Sequence, residues 1–153
     1  MIISIEEFLR SGEFGPVVIG MSKEEVIEYL GQPDSDNDID KSGSILLYSW
    51  YEFFFNNENK LYSIQNDNYD STDASSFEFK NESIEIDSWF LNNTRNQSID
   101  NIIELLSLKK IDYSVIDYFG RNVIKLTSGV VVDFDEEKNT HGVKELIGIR
   151  YWP

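Results

Sequence analysis

The 153-residue sequence lacks cysteine and contains a single histidine, His141. Without cysteine, neither a disulfide framework nor a thiolate metal site can form. One histidine cannot supply a His-pair zinc site, and the turn-like segment "EEKNTHGVKE" favours an exposed position for it. No G-x-S-x-G turn, Walker loop or G-x-G-x-x-G turn is present. The sequence therefore predicts no catalytic residues, no metal site, no cofactor and no enzyme.

Positive charge is also scarce, since 13 Lys and Arg face 28 Asp and Glu, for a net charge of −15. Residues 1–97 hold 19 of the acidic and 6 of the basic residues, whereas residues 98–153 hold 9 and 7. A field of this sign repels phosphate backbones and anionic lipid, and it speeds encounter with a basic protein. We expect a basic protein partner and no nucleic acid. An acidic surface that only keeps the protein in solution is the alternative.

Long apolar runs are missing as well. No segment approaches the roughly 20 apolar residues that span a bilayer, and "MIISIEEFLRSGEFG" has no basic leader before an apolar stretch. These features predict a cytoplasmic protein without membrane contact. Hydrophobic residues at 41% and aromatic residues at 14% suffice for a core, so residues 1–153 are expected to fold as a single domain.

Three segments combine helical spacing of apolar residues with capping signals. "SIEEFLRSG" begins at Ser4 and ends at Gly12, "MSKEEVIEYLGQP" carries the Ser22 and Glu25 capping box, and "SIDNIIELLSLKK" begins at Ser98. Each pattern predicts a helix with one apolar face. The predicted core residues of the second and third helices are Val26, Ile27, Leu30, Ile102, Ile103 and Leu106.

The remaining apolar segments are typical of strands, and their order repeats. "ILLYSWYEFFF" and "KLYSIQND" follow the second helix, two edge-type strands are predicted in "FEFKNESIEIDSW", and "NNTRNQ" leads to the third helix. Beyond that helix come "DYSVIDY", "NVIKL", "VVVDF" and "ELIGIRYW". "YEFFF" aligns with "VVVDF", and "KLYSIQ" with "ELIGIR". The pattern predicts an α+β fold, a mostly antiparallel twisted sheet with helices on one face, with two helix-plus-meander repeats at 20–67 and 96–153 as one explanation of the similarity.

The first half also resembles a known group of proteins. "GMSKEEVIEYLGQP", Gly20 to Pro33, followed by "YEFFFNNENKLYSI", is similar to a motif of small bacterial proteins, some of them immunity proteins encoded beside secreted toxins. The phrase G-M-S-x-x-x-V-x-x-x-L-G-x-P is also similar to small outer-membrane assembly lipoproteins, which require a signal and a cysteine that this sequence lacks. The shared positions are caps, core and turns, so the resemblance implies a fold and no catalytic residue.

The segment after the second helix, "LGQPDSDNDIDKSG", places four aspartates at alternate positions. An EF-hand loop starting at Asp34 or Asp36 would need glycine at its sixth position and glutamate at its twelfth, and neither frame has them. A solvated loop and an acidic contact surface remain as explanations. As the contact surface we predict the four aspartates with two nearby aromatic anchors: Asp34, Asp36, Asp38, Asp40, Tyr48 and Trp50.

The two anchors lie in "YSWYEFFF", interpreted as one strand. Strict alternation would place Tyr48, Trp50, Glu52 and Phe54 on one face and Ser49, Tyr51, Phe53 and Phe55 on the other. Two classes of function follow from the whole sequence. The favoured one is an acidic protein-binding module, an immunity protein that neutralises a basic, nuclease-type bacterial toxin. The other is a small-molecule-binding or enzymatic α+β domain of unknown ligand.

Overall fold

The computed structural model describes residues 1–92 and 97–151. The described part forms three α-helices, α1 (Ile5–Ser11), α2 (Lys23–Leu30) and α3 (Ile99–Leu108), and three short 3₁₀ helices at Asp40–Ser42, Ala74–Phe77 and Trp89–Asn92. Its ten strands are β1 (Ile2–Ser4), β2 (Ser35–Asp38), β3 (Ser44–Tyr48), β4 (Tyr51–Phe55), β5 (Leu61–Asn66), β6 (Glu85–Asp87), β7 (Tyr113–Tyr118), β8 (Arg121–Leu126), β9 (Val130–Lys138) and β10 (Lys144–Tyr151). Most of the predicted linker "NNTRNQ", and Trp152 of the last predicted strand, lie outside the described residues.

The helices begin where the capping signals predict. The Ser4 hydroxyl accepts from the Glu7 amide, and the Ser98 hydroxyl accepts from the Asn101 amide. At α2 both bonds of the capping box form: Ser22 Oγ accepts from the Glu25 amide at 3.2 Å, and Glu25 Oε2 accepts from the Ser22 amide at 2.7 Å. These bonds satisfy amides that have no partner inside the helix, which fixes each helix start.

Eight of the strands form one antiparallel sheet in the order β2-β3-β4-β5-β10-β9-β8-β7. A separate two-stranded sheet pairs β1 with β6 in parallel, Ile3 opposite Ile86. Buried residues of α1, α2 and α3 share a single hydrophobic cluster with alternate residues of the large sheet. The helices thus cover one face of a mostly antiparallel sheet, and the predicted α+β class is confirmed.

The predicted core residues of α2 and α3 contact this cluster. Val26, Leu30, Ile102 and Leu106 are buried, as predicted. Ile27 and Ile103 are half-buried and pack against the edge of the cluster. Each follows a buried residue by one position, which turns its side chain about 100° around the helix and away from the sheet.

The two meanders of the large sheet pair in matching registers. In the first, Phe53 lies opposite Ile64 and Phe55 opposite Leu61. In the second, the aligned residues Val132 and Phe134 lie opposite Ile149 and Leu146. Each of these strand pairs contains an irregularity at the corresponding place, between Phe54 and Phe55 and between Leu146 and Gly148. A common origin of the two halves stays a prediction from the sequence.

The meanders join through β5 and β10. Gln65 lies opposite Arg150, with Ile64 opposite Tyr151 on one side and Asn66 opposite Ile149 on the other. Ile64 and Ile149 occupy equivalent positions in the aligned halves. The junction is therefore symmetric about the pair of Gln65 and Arg150, and the pairs on either side of it are equivalent. Near this junction, a methyl group at Gly148 would collide with the backbone of Asn66 and Asp67. The close approach of β5 therefore requires glycine at position 148.

The single strand predicted for "ILLYSWYEFFF" is wrong, because the segment is a hairpin. β3 ends at Tyr48, Ser49 and Trp50 form the turn, and Tyr51 opposite Tyr48 begins β4. Ser49 has φ 55°, and its amide donates to the Asp34 carboxylate at 2.6 Å. The turn contains no glycine, so the sequence gives no ordinary turn signal.

Two other segments also differ from their predictions. "FEFKNESIEIDSW" contains one strand, β6, and not two, because Phe77 ends the 3₁₀ helix Ala74–Phe77 and the residues after it pair with β6 only through the bridge of Lys80 with Glu85. The aspartate-rich loop contains a strand, since β2 pairs along its length with β3. All four residues of this edge strand are polar, so it has no apolar alternation by which the sequence could reveal it.

Candidate functional site

The helix-free face of the large sheet contains a recess beside the β3–β4 turn. Its volume is about 400 Å³. The walls combine half-buried aliphatic side chains from β3 with polar groups from β2, β4 and the segment after β5. The lining residues are Asn37, Ile45, Leu47, Ser49, Trp50, Glu52, Asp67 and Asn68.

Trp50 is the aromatic wall of this recess and is 53% exposed. It lies in the β3–β4 turn, next to Ser49 with its positive φ. The hydrogen bond from the Ser49 amide to Asp34 holds the turn against the start of β2. The indole is therefore presented to solvent from a turn that a second segment supports.

Glu52 and Asp67 bring two carboxylates into the same recess. The pKa of Glu52 is raised above its ordinary value of 4.5, first by burial and then by the negative charge of Asp67, while a hydrogen bond with Gln65 partly offsets this. Within residues 1–92 and 97–151, neither carboxylate has a lysine or arginine at ion-pair distance. The two acids repel each other, and a cation placed between them would relieve that repulsion.

Two of the predicted contact aspartates take part in local structure. Asp34 accepts from the Ser49 amide, and Asp36 forms a 2.7 Å ion pair with Lys23 of α2. The Asp36 carboxylate thereby ties the edge strand β2 to the helix layer. Charges along an edge strand also hinder pairing with another chain.

Asp38 and Asp40 line a different cavity of about 350 Å³. That cavity also contains Lys23 and Lys41, so local positive charge offsets the two carboxylates. Asp40 has φ 45° and begins the 3₁₀ helix Asp40–Ser42. The structure thus distributes the four aspartates over separate environments, with none of them among the residues that line the recess.

Tyr48 is not a surface anchor, because only 1% of it is exposed. The hairpin places Tyr48 opposite Tyr51, on the core face with Phe53 and Phe55. Its hydroxyl donates to the Gly31 carbonyl at 2.8 Å, and burial, with the charges of Asp34 and Asp36, raises its pKa. An intact strand would have put Tyr48 beside Trp50, so the missed turn explains this error.

A second cluster of charged residues lies on β8, β9 and β10, and the sequence did not predict it. Arg121 donates two hydrogen bonds to Asp133, from Nε at 3.0 Å and Nη2 at 2.8 Å. Arg150 Nη1 lies 3.2 Å from Asp133 Oδ2. The ring of Tyr118 lies over both guanidinium groups, with centroid distances of 5.6 Å and 4.8 Å. No local pattern reveals this group, because its members come from four different strands.

The ion group and the recess have a common neighbour. Asp67, which lines the recess, also lines a cavity of about 160 Å³ together with Arg121, Asp133 and Arg150. In this second cavity Arg121 and Arg150 both contact Asp133. Asp67 forms no ion pair with either arginine within the described residues.

A larger cavity, of about 800 Å³, lies beside β6 and contains Glu78, Lys80, Glu85 and Asp87. Lys80 forms a 2.9 Å ion pair with Glu85, and Asp87 accepts from the Trp89 amide. Most of its charged groups therefore have partners within the chain. The two carboxylates of the recess form no ion pair within the described residues and lie beside an exposed indole, so the recess is the better candidate for a binding site.

The described residues contain no group of three or more His, Asp or Glu side chains arranged to hold a metal ion. His141 is exposed in the turn between β9 and β10, where its amide donates to the Asn139 side chain. Residues 1–92 and 97–151 also include no helix with the length and apolar character of a membrane span.

No protein-family model matches this chain, and no curated protein sequence is significantly similar to it. Among solved structures, the chain is similar to an extracellular protein containing an SCP domain from Bacillus anthracis str. Ames. The match has a TM-score of 0.41 and 14% identity, and it covers 88% of this chain and 43% of that one. A likeness this distant carries no argument about function.

Proposed function

We propose that this chain is an acidic protein-binding module that takes a cationic side chain of a basic protein into the recess beside Trp50. The observation that carries the proposal is the pair of carboxylates, Glu52 and Asp67, with no described lysine or arginine partner beside a half-exposed indole. A lysine or arginine from outside the chain would supply the missing positive charge.

Each wall of the recess has a role in such binding. The indole of Trp50 can hold a cation over its face, and Glu52 and Asp67 can accept hydrogen bonds from a guanidinium or ammonium group. Ile45 and Leu47 offer apolar surface to the methylene groups of a long basic side chain. The net charge of −15 would accelerate the approach of a basic protein.

The specific function that we propose is immunity against a basic, nuclease-type toxin. A nuclease needs a cationic surface to hold the phosphate backbone, and an acidic protein bound there would block its substrate. The resemblance of residues 20–64 to immunity-type proteins supports this proposal. Such a protein would act in the cytoplasm, where the toxin meets nucleic acid. Cells that express the basic domain of a secreted protein encoded beside this chain should stop growing, and co-expression of this chain should restore their growth. Continued growth arrest would count against immunity.

The first prediction compares two double variants that each remove two negative charges. Glu52→Gln with Asp67→Asn alters the recess, and Asp38→Asn with Asp40→Asn alters the other acidic cavity. Both should slow association with an oligoarginine peptide to a similar degree, because long-range attraction depends on net charge. Only the recess variant should also dissociate faster, by about tenfold or more, because it loses close contacts. Surface plasmon resonance at several salt concentrations measures both rates.

The peptide serves as the probe because it carries the side chain that the recess is proposed to hold. Trp50→Ala, with Glu52 and Asp67 unchanged, should raise the dissociation rate of the peptide without changing the salt dependence of association. Equal dissociation rates for the recess variant and the Asp38 and Asp40 variant would rule out the recess as the binding site. The module could then still bind basic proteins through another acidic surface.

The second prediction follows from the raised pKa of Glu52. Protonation removes the charge that attracts the cation, so binding of oligoarginine should weaken on acidification at a higher pH than an ordinary glutamate would require. Acidification should instead increase the contribution of Glu52 to stability. The reason is that a pKa raised in the folded state means that folding favours the protonated form. Glu52→Gln should therefore keep or increase thermal stability at neutral pH while it reduces binding. Calorimetric titrations between pH 4 and 7, and thermal unfolding, test the two effects.

The volume of the recess, about 400 Å³, also falls within the range of small-molecule pockets. This supports the second candidate, an α+β domain that binds a small ligand there. A small amine or guanidine that binds as tightly as the oligoarginine peptide would favour it. Binding that requires the peptide would favour the protein-binding module.

A further inference from the structure

The two edges of the large sheet differ in charge. The outer strand β2, with sequence Ser35–Asp38, carries Asp36 and Asp38. The other outer strand, β7, has the sequence "YSVIDY" with Asp117 as its single charge, and within the described residues it pairs only with β8. Natural proteins protect exposed edges with charges, prolines or short strands. β2 has this protection, whereas β7 presents six residues of open, β-favouring backbone.

The turn after β7 contains an unusual residue. Phe119 is 88% exposed and has φ 52°, followed by Gly120 with φ 88°. A two-residue hairpin with positive φ at both positions favours Asn-Gly, and a bulky aromatic there is strained. Val115 in the middle of β7 is exposed as well, at 44%. The unprotected edge at β7 therefore combines a strained backbone at Phe119 with two exposed apolar side chains, Val115 and Phe119.

We propose that β7 pairs in antiparallel fashion with β7 of a second copy of this chain, which joins two large sheets into one. The charge distribution favours a second copy over a basic protein as the partner of β7. Residues 98–153, which contain β7, hold 9 acidic and 7 basic residues, so two copies repel each other less at this edge than they would at β2. A strongly basic partner would instead be attracted to the acidic residues 1–97.

The sequence of β7 is compatible with this symmetry. In an antiparallel pair of identical strands centred on Val115, the two Val115 side chains face each other, and Asp117 of each copy faces Tyr113 of the other. No carboxylate faces a carboxylate, which would be destabilising. The same register carries Phe119 of each copy alongside the segment that joins α3 to β7 in the other, three residues beyond the exposed Leu108. The inference uses a different edge from the recess and does not rest on the proposed function.

Sedimentation of the full chain between about 1 µM and about 1 mM tests the proposal across the range of weak association. The wild type should pass from 17.8 kDa toward twice that mass as its concentration rises. Val115→Lys should remain monomeric, because like charges would meet at the symmetry axis. Asn37→Lys adds the same charge to the opposite edge and should dimerise as the wild type does.

Phe119→Asn provides a variant that should fold without difficulty, since asparagine tolerates positive φ. It should raise the dimer dissociation constant by about tenfold or more if the phenyl ring is an interface anchor. Circular dichroism confirms that each variant is folded. A wild type that stays monomeric throughout, or a dimer that survives Val115→Lys unchanged, would overturn the proposal. Loss of the dimer in Asn37→Lys alone would place the interface at β2 and overturn it equally.

Discussion

Replacing Asp133 with alanine should destabilise the protein by about 3 to 5 kcal/mol, the usual effect of removing one partner from a buried ion pair. The Asp133 side chain is 7% exposed and holds Arg121 through two hydrogen bonds, with Arg150 at 3.2 Å. Without it, two guanidinium groups at the centre of the sheet face would lose their common counter-charge. Urea denaturation of the wild type and the variant measures the difference.

Glu136→Ala provides the matched control for this prediction. Glu136 also contacts Arg121, at 3.2 Å, but its side chain is 64% exposed. Exposed ion pairs contribute about 0 to 1 kcal/mol, so the control should unfold nearly as the wild type does. Burial lowers the pKa of Arg121, and the hydrogen bonds and charges of Asp133 and Glu136 together outweigh that effect and raise it. Similar losses for the two variants would show that burial does not set the strength of these contacts.

The second large effect is expected for Leu106→Ala in α3. Leu106 is fully buried between the helix and the sheet. Its truncation removes apolar contacts and leaves a cavity, which together cost about 2 to 5 kcal/mol. The free energy of unfolding from urea denaturation should fall by that amount with an unchanged slope, because the fold itself is retained.

Leu108→Ala makes the same chemical change at the end of the same helix, where the side chain is 76% exposed. It should change stability by no more than about 0.5 kcal/mol. If both leucine variants were equally stable, Leu106 would not pack against the sheet, and the position of α3 would be wrong. The pair therefore tests the helix layer without affecting the recess.

The helices and most strands could be predicted from the sequence because their signals are local. Ser22 and Glu25 form their capping box within a few residues, and the apolar spacing of α3 selects the buried Ile102 and Leu106 without reference to the rest of the chain. The alignment of Ile64 with Ile149 also agrees with the observed strand registers. Information of this kind does not depend on which distant segments meet.

The errors come from features that depend on distant contacts. The Asp34 carboxylate accepts from the Ser49 amide, 15 residues away, at a turn whose own sequence has no glycine or proline. The strand β2 exists because β3 offers it a partner, although its own sequence resembles a loop. The small parallel sheet joins β1 to β6, which lies more than half the chain length away. In each case, tertiary pairing decides a conformation that local propensity leaves open.

The candidate site was predicted only in part for the same reason. Trp50 was identified as an exposed aromatic beside acidic residues, but the acids that share its recess are Glu52 and Asp67, not the aspartates of residues 34–40. Asp67 reaches the recess because β5 lies beside β4, with Gln65 opposite Glu52. Strand alternation alone could have selected Glu52, whereas Asp67 required the strand order.

A titration of ¹⁵N-labelled protein with oligoarginine, followed by heteronuclear NMR, shows whether the recess beside Trp50 holds a cationic side chain. If the recess binds the peptide, the largest shifts should occur at the Trp50 indole N–H and at the backbone amides of Glu52 and Asp67, and Glu52→Gln with Asp67→Asn should remove them. Shifts concentrated around Asp38 and Asp40, with the Trp50 indole signal unmoved at saturation, would contradict binding in the recess.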